Sequence, residues 1–530
     1  PAREVFRDLD LPLWRFTDHN PVLLLHLVEP ERLTHAAGDA EFLRLYDAAI
    51  AALDVVRAGA GTWWSRRPAN ASAGRLPLAC VAPGFSLHQA LPLDSDSGAI
   101  AAGDAAKEAS DLGLPFVGVG MMYPRAYMHQ GVTGDGLQQE TYEHLDWSDA
   151  PVAPALCPDG TACAFPVEVD GRTVRLAVWQ VRVGRVTLYL LDADLPENDD
   201  ADRALSAAIE LPASPASQRR ERLLAAGGSR ALERLGIQPS AFVDAAAIGA
   251  AVHVPTWIAR DIAELVEQYG GVDWREHQDE DEWWRRLDAI PDEALWAARE
   301  RLRGYLVDFI RERARRRWTR EQATGARLVG FGTLLDASTL TIGIARRFTA
   351  GYAAGVLFHD VERLAAILTA ARRPVQLIFA GRAHRDDENG KQALQRIFTR
   401  AVDPRFGGRI AFLDDYDLHA ARLLVQGCDL WLGLSGAGEP PALGPAKAGL
   451  NGVPTLRLEL DGTTAKAAAR QFYGRLEDDL VPRFYHRDRR GVPPEWVRQV
   501  RETVRTAIPS VSARRLLKRS VEHGAAPADV

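Results

Sequence analysis

The sequence between residues 340 and 432 contains four short apolar runs: LTIGIA at 340–345, VQLIFA at 375–380, RIAFL at 409–413 and DLWL at 429–432. Patterns typical of helices separate them, at residues 361–370, 390–402 and 420–426. Buried strands of this length that alternate with helices predict a parallel sheet with right-handed crossovers. We therefore expect an α/β fold in this part of the chain.

The carboxyl ends of these predicted strands carry charged and glycine-containing segments. They are Arg346-Arg347, GRAH at 381–384, DDYD at 414–417 and the loop at 433–447. Ligands of parallel α/β sheets bind outside the carboxyl ends of the strands. The sequence therefore predicts a ligand site formed by these four segments.

Length and composition restrict the class of protein. A chain of 530 residues is long enough for about two to four domains. The net charge of −7 predicts no broad basic surface for nucleic acid. The four cysteines show neither metal-ligand spacing nor a disulfide framework, so we predict no metal site and a cytoplasmic protein. No apolar run reaches the length of a membrane helix, and no signal peptide is visible.

The remaining segments suggest a division into four parts. Residues 1–75 predict a helical N-terminal extension that ends in a linker at 68–74. Residues 76–325 predict an α/β domain whose stretch 258–320 is helical and charged, and the basic run 311–317 is interpreted as a solvated helix end. Residues 326–480 are predicted to form a second α/β domain. Residues 481–530 are predicted to form helices that pack back onto the preceding part of the chain.

Five separated motifs then point to a family. LTIGIARRF (340–348), RPVQLIFAGRAH (373–384), FLDDYD (412–417), LVQGCDLWL (424–432) and LNG (450–452) stand in one order along the chain. In this combination the chain resembles the bacterial α-glucan phosphorylases, which act on glycogen and maltodextrin. The resemblance implies two Rossmann-like domains of the glycosyltransferase-B type. It also implies pyridoxal phosphate on a lysine, and phosphorolysis of α-1,4-glucan to glucose 1-phosphate.

The same resemblance nominates five site residues. Lys447 stands at the position of the family's Schiff-base lysine, and Arg346 and Gly444 are the other candidates for cofactor binding. Arg347 matches an arginine that contacts substrate phosphate, and Glu439 matches a glutamate that accepts sugar hydroxyls. Arg347 and Glu439 are therefore the candidate catalytic residues.

Several of the family's chemical residues are replaced. Asp96-Ser-Gly-Ala99 stands in place of a glycine-rich turn whose amides face phosphate, and it is interpreted as a solvated turn. The family's phosphate-binding Tyr-Lys-Arg becomes Gly351-Tyr-Ala353. The sugar-binding Ser-Gly becomes Pro441-Ala442, and proline has no N–H to donate. Leu443 replaces the threonine that holds the cofactor phosphate.

A whole block is also missing from the first domain. After Pro239 the family continues with Asn-Glu-Gly-His and a long helical stretch, whereas this chain resumes at residues 248–257. His253 in that run is interpreted as a structural residue. Each lost donor typically costs a hundred- to a thousandfold in rate, about 3 to 4 kcal/mol, so several losses leave little catalysis.

Three hypotheses remain open. In the first hypothesis, the chain is an active phosphorylase with pyridoxal phosphate on Lys447. Alternatively, it is a shortened, catalytically impaired family member that binds α-glucan, a sugar phosphate or a phosphorylase subunit in a homo- or hetero-oligomer. The third is a glycosyltransferase that uses a nucleotide sugar on the same fold. The lost residues favour the second hypothesis, with a binding or regulatory role in glycogen metabolism.

Overall fold

The computed structural model describes residues 2–67, 76–91, 96–124, 128–142, 145–207, 214–244, 252–321, 325–349, 353–435, 443–460 and 463–522. The predicted linker at 68–74 lies outside these ranges. The chain forms two compact units. Unit 1 comprises Pro1–Met128, Tyr142–His253 and Leu516–Val530, and unit 2 comprises His129–Thr141 and Val254–Arg515.

The N-terminal segment of unit 1 is helical, as the sequence predicts. Its helices are α1 (Ala2–Leu9), α2 (Leu11–Phe16), α3 (Pro21–Leu27), α4 (Pro30–Gly38) and α5 (Ala40–Ala58). Side-chain caps begin three of them, because Asp10, Asn20 and Asp39 accept hydrogen bonds from the first-turn amides of α2, α3 and α5. A small core that includes Trp14 and Leu24 holds these helices together.

The main sheet of unit 1 combines parallel and antiparallel pairing. Its strands are β1 (Leu78–Val81), β2 (Phe116–Met121), β5 (Ala153–Pro154), β6 (Ala164–Val169), β7 (Arg172–Val183), β8 (Val186–Asp192) and β9 (Ala241–Asp244). Two further strands, β3 (Met128–Val132) and β4 (Gln138–Tyr142), form a separate hairpin, of which His129–Thr141 belongs to unit 2. The order is β5-β7-β8-β2-β1-β9, with β6 also paired to β7. The run β8-β2-β1-β9 is parallel, and β7 is antiparallel to its neighbours. The helices are α6 (Ser97–Leu112), α7 (Asp200–Ala207) and α8 (Pro215–Arg234).

The sheet of unit 2 is parallel throughout, which confirms the prediction from the four apolar runs. Its strands are β10 (Leu340–Ala345), β11 (Val375–Ala380), β12 (Ile410–Leu413), β13 (Leu430–Ser435) and β14 (Thr455–Glu459). They lie in the order β12-β11-β10-β13-β14. β11 is buried along its whole length, which explains why its sequence is apolar on both faces.

Helices surround this sheet. They are α9 (Val254–Trp257), α10 (Arg260–Tyr269), α11 (Asp292–Glu321), α12 (Gly325–Gly330), α13 (Val361–Leu368), α14 (Glu388–Ala401), α15 (Leu418–Gly427), α16 (Leu443–Gly449), α17 (Ala465–Arg475), α18 (Val481–Tyr485), α19 (Pro494–Val511) and α20 (Ala513–Glu522). The last helix continues into unit 1. Among the helices that the structure describes, none is long and apolar enough to cross a membrane.

Helix α11 explains why residues 254–325 lie in unit 2, although the sequence assigns them to the first α/β domain. The fully buried guanidinium of Arg299 donates hydrogen bonds to the carbonyl oxygens of Gln426, Cys428 and Asn451. Arg303 forms a buried ion pair with Asp429 at 2.7 Å. These contacts attach α11 to the loops and strands of the second sheet. The predicted boundary at residue 325 therefore falls inside unit 2.

Candidate functional site

The carboxyl ends of β10 and β11 bring Arg346 to the edge of the parallel sheet. The chain turns at Gly381, whose φ of +135° is rarely adopted by other residues. A Cβ there would lie 1.9 Å from the carbonyl oxygen of Arg346, so the close approach requires glycine. The guanidinium of Arg346 donates to the carbonyl oxygen of Leu434 on β13. Arg346 therefore links the ends of two strands, and Arg347 beside it is exposed.

The hairpin formed by β3 and β4 covers the ends of β11 and β12. Gln130 donates to the carbonyl oxygen of Gly381 at 3.0 Å, and its own side-chain oxygen accepts from the amide of Asp415 at 2.9 Å. Gln138 likewise donates to the carbonyl oxygen of Ala383 at 3.0 Å and accepts from its amide at 2.9 Å. The two glutamine side chains therefore pair with backbone groups at the strand ends, the region where the sequence predicts a ligand site.

Asp415 is the charged centre of this edge. Its φ is +45°, in the left-handed region, and its carboxylate lies 3.1 Å from the ring of His129 and 3.3 Å from both Arg313 and Arg382. Burial by itself would raise the pKa of this carboxyl. The hydrogen bond from His129 and the two arginine charges outweigh burial and lower the pKa to about 2. His129, Arg313 and Arg382 are therefore already paired with a carboxylate of the chain.

The basic run 311–317 contributes to the same edge with one face only. Its interpretation as a solvated helix end is wrong for Arg313 and Arg317. Arg313 donates to the backbone oxygen of Asp415 at 2.9 Å, and Arg317 pairs with the buried carboxylate of Asp414. These arginines lie four residues apart and therefore on one face of α11. Arg315 and Arg316 lie on the outer side, where both pair with Glu312.

Helix α16 carries Lys447 into the interior of unit 2. The lysine residue is only 4% exposed, and its Nζ lies 3.7 Å from the ring centroid of Trp257. Asn451 fixes this pair, because its side-chain nitrogen donates at 3.0 Å to the backbone oxygens of both Trp257 and Lys447. Gln426 donates to the same oxygen of Trp257 at 3.1 Å. The lysine is therefore held against an indole face by a buried hydrogen-bond network.

These surroundings do not fit pyridoxal phosphate. A Schiff base requires the aldehyde carbon of the cofactor to reach Nζ of the lysine. At 4% exposure, Lys447 borders almost no space that even a water molecule could fill. One helical turn earlier, a Cβ on Gly444 would lie 2.4 Å from the indole of Trp431, so that side of the helix is filled as well. A pyridine ring would have to displace at least one of these tryptophans.

In unit 1, Asp96 occupies the position that the sequence aligns with a phosphate-facing turn. Helix α6 begins at Ser97, and the Asp96 carboxylate accepts a hydrogen bond from the amide of Ala99 at 2.7 Å. The interpretation as a solvated turn is therefore wrong, because most of the segment belongs to the helix. The amide of Ala99 and the positive end of the helix dipole are already paired with a carboxylate of the chain itself.

The other sequence-based candidates are placed as follows. Glu439, Pro441-Ala442 and Gly351-Tyr352 lie outside the described residues. His253 is buried and its Nε2 lies 3.2 Å from Asp111, which agrees with a structural role. The structure places Arg346 and Arg347 together at the end of β10, and Gly444 and Lys447 together on α16.

Sequence reasoning missed two groups of residues. Gln130 and Gln138 flank the turn at Asp135-Gly136, a typical hairpin signal, but their pairing with the second sheet depends on distant chain segments. Asn451 belongs to a recognised motif, yet its contact with Trp257 joins residues far apart in the sequence. Only the polar character of these positions could have singled them out.

Comparison with known proteins gives matches along the chain. A family described as "Protein of unknown function (DUF3417)" matches residues 1–91. The chain is 29% identical over 666 aligned residues to a glycogen phosphorylase of Aquifex aeolicus, with 98% of this chain and 94% of the relative covered. It is 29% identical over 703 residues to a glycogen phosphorylase of Mycobacterium bovis (100% and 80% covered), and 25% identical over 669 residues to a maltodextrin phosphorylase of Thermococcus litoralis (98% and 78% covered).

These matches extend over both compact units. Relatives from three organisms carry the same kind of name, and each aligns with nearly the whole chain. The α/β architecture of the structure agrees with them. The chain therefore belongs to the α-glucan phosphorylase family.

Proposed function

We propose that this chain is a phosphorylase-family protein without phosphorolytic turnover, which acts in α-glucan metabolism as a binding or regulatory protein of the cytoplasm. Its ligand in this proposal is an α-glucan or a sugar phosphate. Two Rossmann-like domains of the glycosyltransferase-B type form its scaffold. The strand order β12-β11-β10-β13-β14 and the parallel run β8-β2-β1-β9 support that part of the proposal.

The environment of Lys447 is the observation that carries the proposal. Phosphorolysis in this family depends on a cofactor bound to the lysine at this position. Here the lysine is buried against Trp257, and a network through Asn451 and Gln426 fixes the arrangement. Such a lysine serves the packing of the chain and leaves no room for a cofactor.

Two further observations support the loss of catalysis. Asp96 places a carboxylate where the family presents amides to phosphate, which opposes anion binding. In addition, the alignment with the Aquifex aeolicus enzyme runs over 666 positions, whereas this chain has 530 residues. At least 136 aligned positions, the difference between these two numbers, therefore lie opposite gaps in this chain.

An active phosphorylase is the second candidate function. The position of Lys447 favours it, because the chain has only five lysines and one of them stands at the Schiff-base position of the family. In this case Trp257 would have to move when the cofactor binds. Arg346, Gly444 and Lys447 would then hold the cofactor, and Arg347 and Glu439 would contact phosphate and sugar.

Trapping of pyridoxal phosphate distinguishes the two functions. The purified chain is incubated with the cofactor, reduced with borohydride and mapped by peptide mass. We expect labelling of exposed Lys466 at least as strong as that of buried Lys447, and no glucose 1-phosphate from glycogen and phosphate. The Lys466→Met and Lys447→Met variants are the matched controls for the two adducts.

A single stoichiometric adduct on Lys447, together with release of glucose 1-phosphate, would refute the proposal in favour of the active enzyme. Retention on glycogen or amylose resin tests the binding role separately. We expect retention that the Lys447→Met variant preserves. Elution without retention, together with no stabilisation by glucose 1-phosphate, would exclude both proposed ligands.

A further inference from the structure

Helix α5 presents an apolar stripe to solvent. Leu43, Tyr46, Ile50 and Leu53 are between 39% and 46% exposed, and they follow each other at intervals of three, four and three residues. This spacing places them along one line of the helix, as in the seam of a coiled coil. The face next to this stripe is turned toward the protein, since Phe42 packs against the N-terminal core and the side chain of Val56 lies near Gly184.

The stripe belongs to the most apolar surface of the described chain. Eighteen large hydrophobic residues are exposed in the described ranges, and ten of them lie between residues 11 and 55. A soluble protein rarely exposes contiguous apolar residues without a partner, so such a concentration marks an interaction surface. The surface falls inside residues 1–91, which match a family of unknown function.

We propose that α5 is a self-association surface, on which the same helix of a second copy of this chain packs antiparallel. The sequence of the stripe is suited to this pairing because it reads symmetrically about residue 48. A twofold axis there places Leu43 opposite the partner's Leu53, and Tyr46 opposite the partner's Ile50. The reciprocal pairs follow from the symmetry, as an isologous dimer requires.

Charges at both ends of the stripe fit the same register. Asp39 and Arg57 continue the spacing of four residues beyond Leu43 and Leu53, and the twofold axis places each opposite the other in the partner. Asp39 caps its own helix through Oδ1 only, accepting from the amides of Glu41 and Phe42, so Oδ2 remains to accept from a guanidinium. Opposite charges therefore flank the apolar layers at both ends. A parallel pair would instead oppose Asp39 to Asp39 and Arg57 to Arg57.

The pairing is short, so the dimer is expected to be reversible. Four apolar layers on a helix of 19 residues bury less surface than the roughly 800 Å² per partner of a standard interface. Asp47 lies beside the twofold axis and approaches its own copy in the partner. The variant Asp47→Asn should therefore tighten association about twofold, because it removes a like-charge contact.

Cysteine cross-linking tests the register. The four native cysteines are buried, which leaves an introduced surface thiol as the reactive one. Asp47→Cys should form a disulfide-linked dimer, because the two copies of residue 47 lie side by side. Arg57→Cys should not, because its copy lies about 27 Å away along the helix pair, at 1.5 Å per residue. Cross-linking of Arg57→Cys without Asp47→Cys would overturn the antiparallel pairing.

Sedimentation velocity over a range of concentrations tests the surface itself. Tyr46→Glu with Ile50→Glu should raise the dissociation constant of the dimer at least about tenfold, because each change places a charge in an apolar layer. Val55→Glu on another face of α5, where residue 55 is 64% exposed, should leave it unchanged. A wild-type chain that stays monomeric at every concentration, or a dimer that tolerates the double change, would overturn the proposal.

Discussion

Two sets of charged side chains in unit 2 behave differently. The buried arginines of α11 find oxygen partners inside the scaffold, as Arg303 does with Asp429. Two cations that the sequence nominates as ligand-binding residues make contacts of another kind. Arg346 donates to a backbone oxygen, and Lys447 lies against an indole ring. The difference teaches that a cation nominated by a family motif can serve packing within the chain, as the buried arginines of α11 do.

The largest expected effect on stability concerns Arg303, one of the buried arginines of α11. Arg303→Met should lower the free energy of unfolding by about 3–5 kcal/mol, because it leaves the carboxylate of Asp429 buried without its cation. Arg303 and Asp429 are both almost completely buried, so solvent cannot replace the lost partner. Urea denaturation followed by circular dichroism measures the change.

A matched variant and a double variant sharpen this result. Arg315→Met removes an exposed ion pair with Glu312 on the same helix and should change stability by less than about 1 kcal/mol. Adding Asp429→Asn to Arg303→Met should recover part of the loss, since no unpaired charge then remains. Equal effects of Arg303→Met and Arg315→Met would contradict the scaffold role.

We expect an intermediate effect on stability at Asp415, whose carboxylate pairs with Arg313 of α11 and with Arg382. Its pKa in the folded chain, about 2, lies below the ordinary value of 3.8. A lowered pKa contributes stability above the unfolded value, and the contribution is lost as the pH falls from about 4 through about 2. Asp415→Asn should therefore cost about 2 kcal/mol at pH 7, with the difference shrinking in acid.

The pH dependence of the stability difference distinguishes the loss of the carboxylate charge from a change in side-chain geometry. Stability of wild type and variant is compared by urea denaturation at pH 7, 5 and 3. The exposed residue Asp386 provides the control Asp386→Asn, which should have a small effect at every pH. A cost for Asp415→Asn that stays constant down to pH 3 would mean that the amide disturbs geometry and that the arginine charges do not matter.

Three of the four strands predicted in the second sheet occur within one residue of the predicted bounds. The fourth, β13, begins one residue later and ends three residues later than the predicted run 429–432. β11 occurs at the predicted residues, and the run predicted at 409–413 forms the strand Ile410–Leu413. Both were recognisable because strands buried on both faces need a continuous apolar sequence. Helix ends were less accurate. The helix predicted at 390–402 extends from Glu388 to Ala401 in the structure. Its first residue follows Asp387, whose side chain caps the helix.

The site could not be predicted in the same way. The motif identifies the position of Lys447, but its neighbour Trp257 comes from a distant part of the chain. The burial of Arg299 likewise depends on three carbonyl oxygens beyond residue 425. Local periodicity contains no information about such contacts, so a helix with buried arginines reads as a charged, solvated one.

The smallest effect concerns Asp96, where a charge of the chain occupies a helix N-terminus that the family offers to phosphate. Asp96→Ala should cost about 1 kcal/mol, because the amide of Ala99 loses its acceptor. Asp96→Ser keeps an acceptor and loses only the charge, so it should cost a few tenths of a kcal/mol. Thermal unfolding of the two variants measures the difference. If serine were as costly as alanine, the charge would matter more than the cap, and Asp96 would belong with Asp415 as a charged group of the packing network.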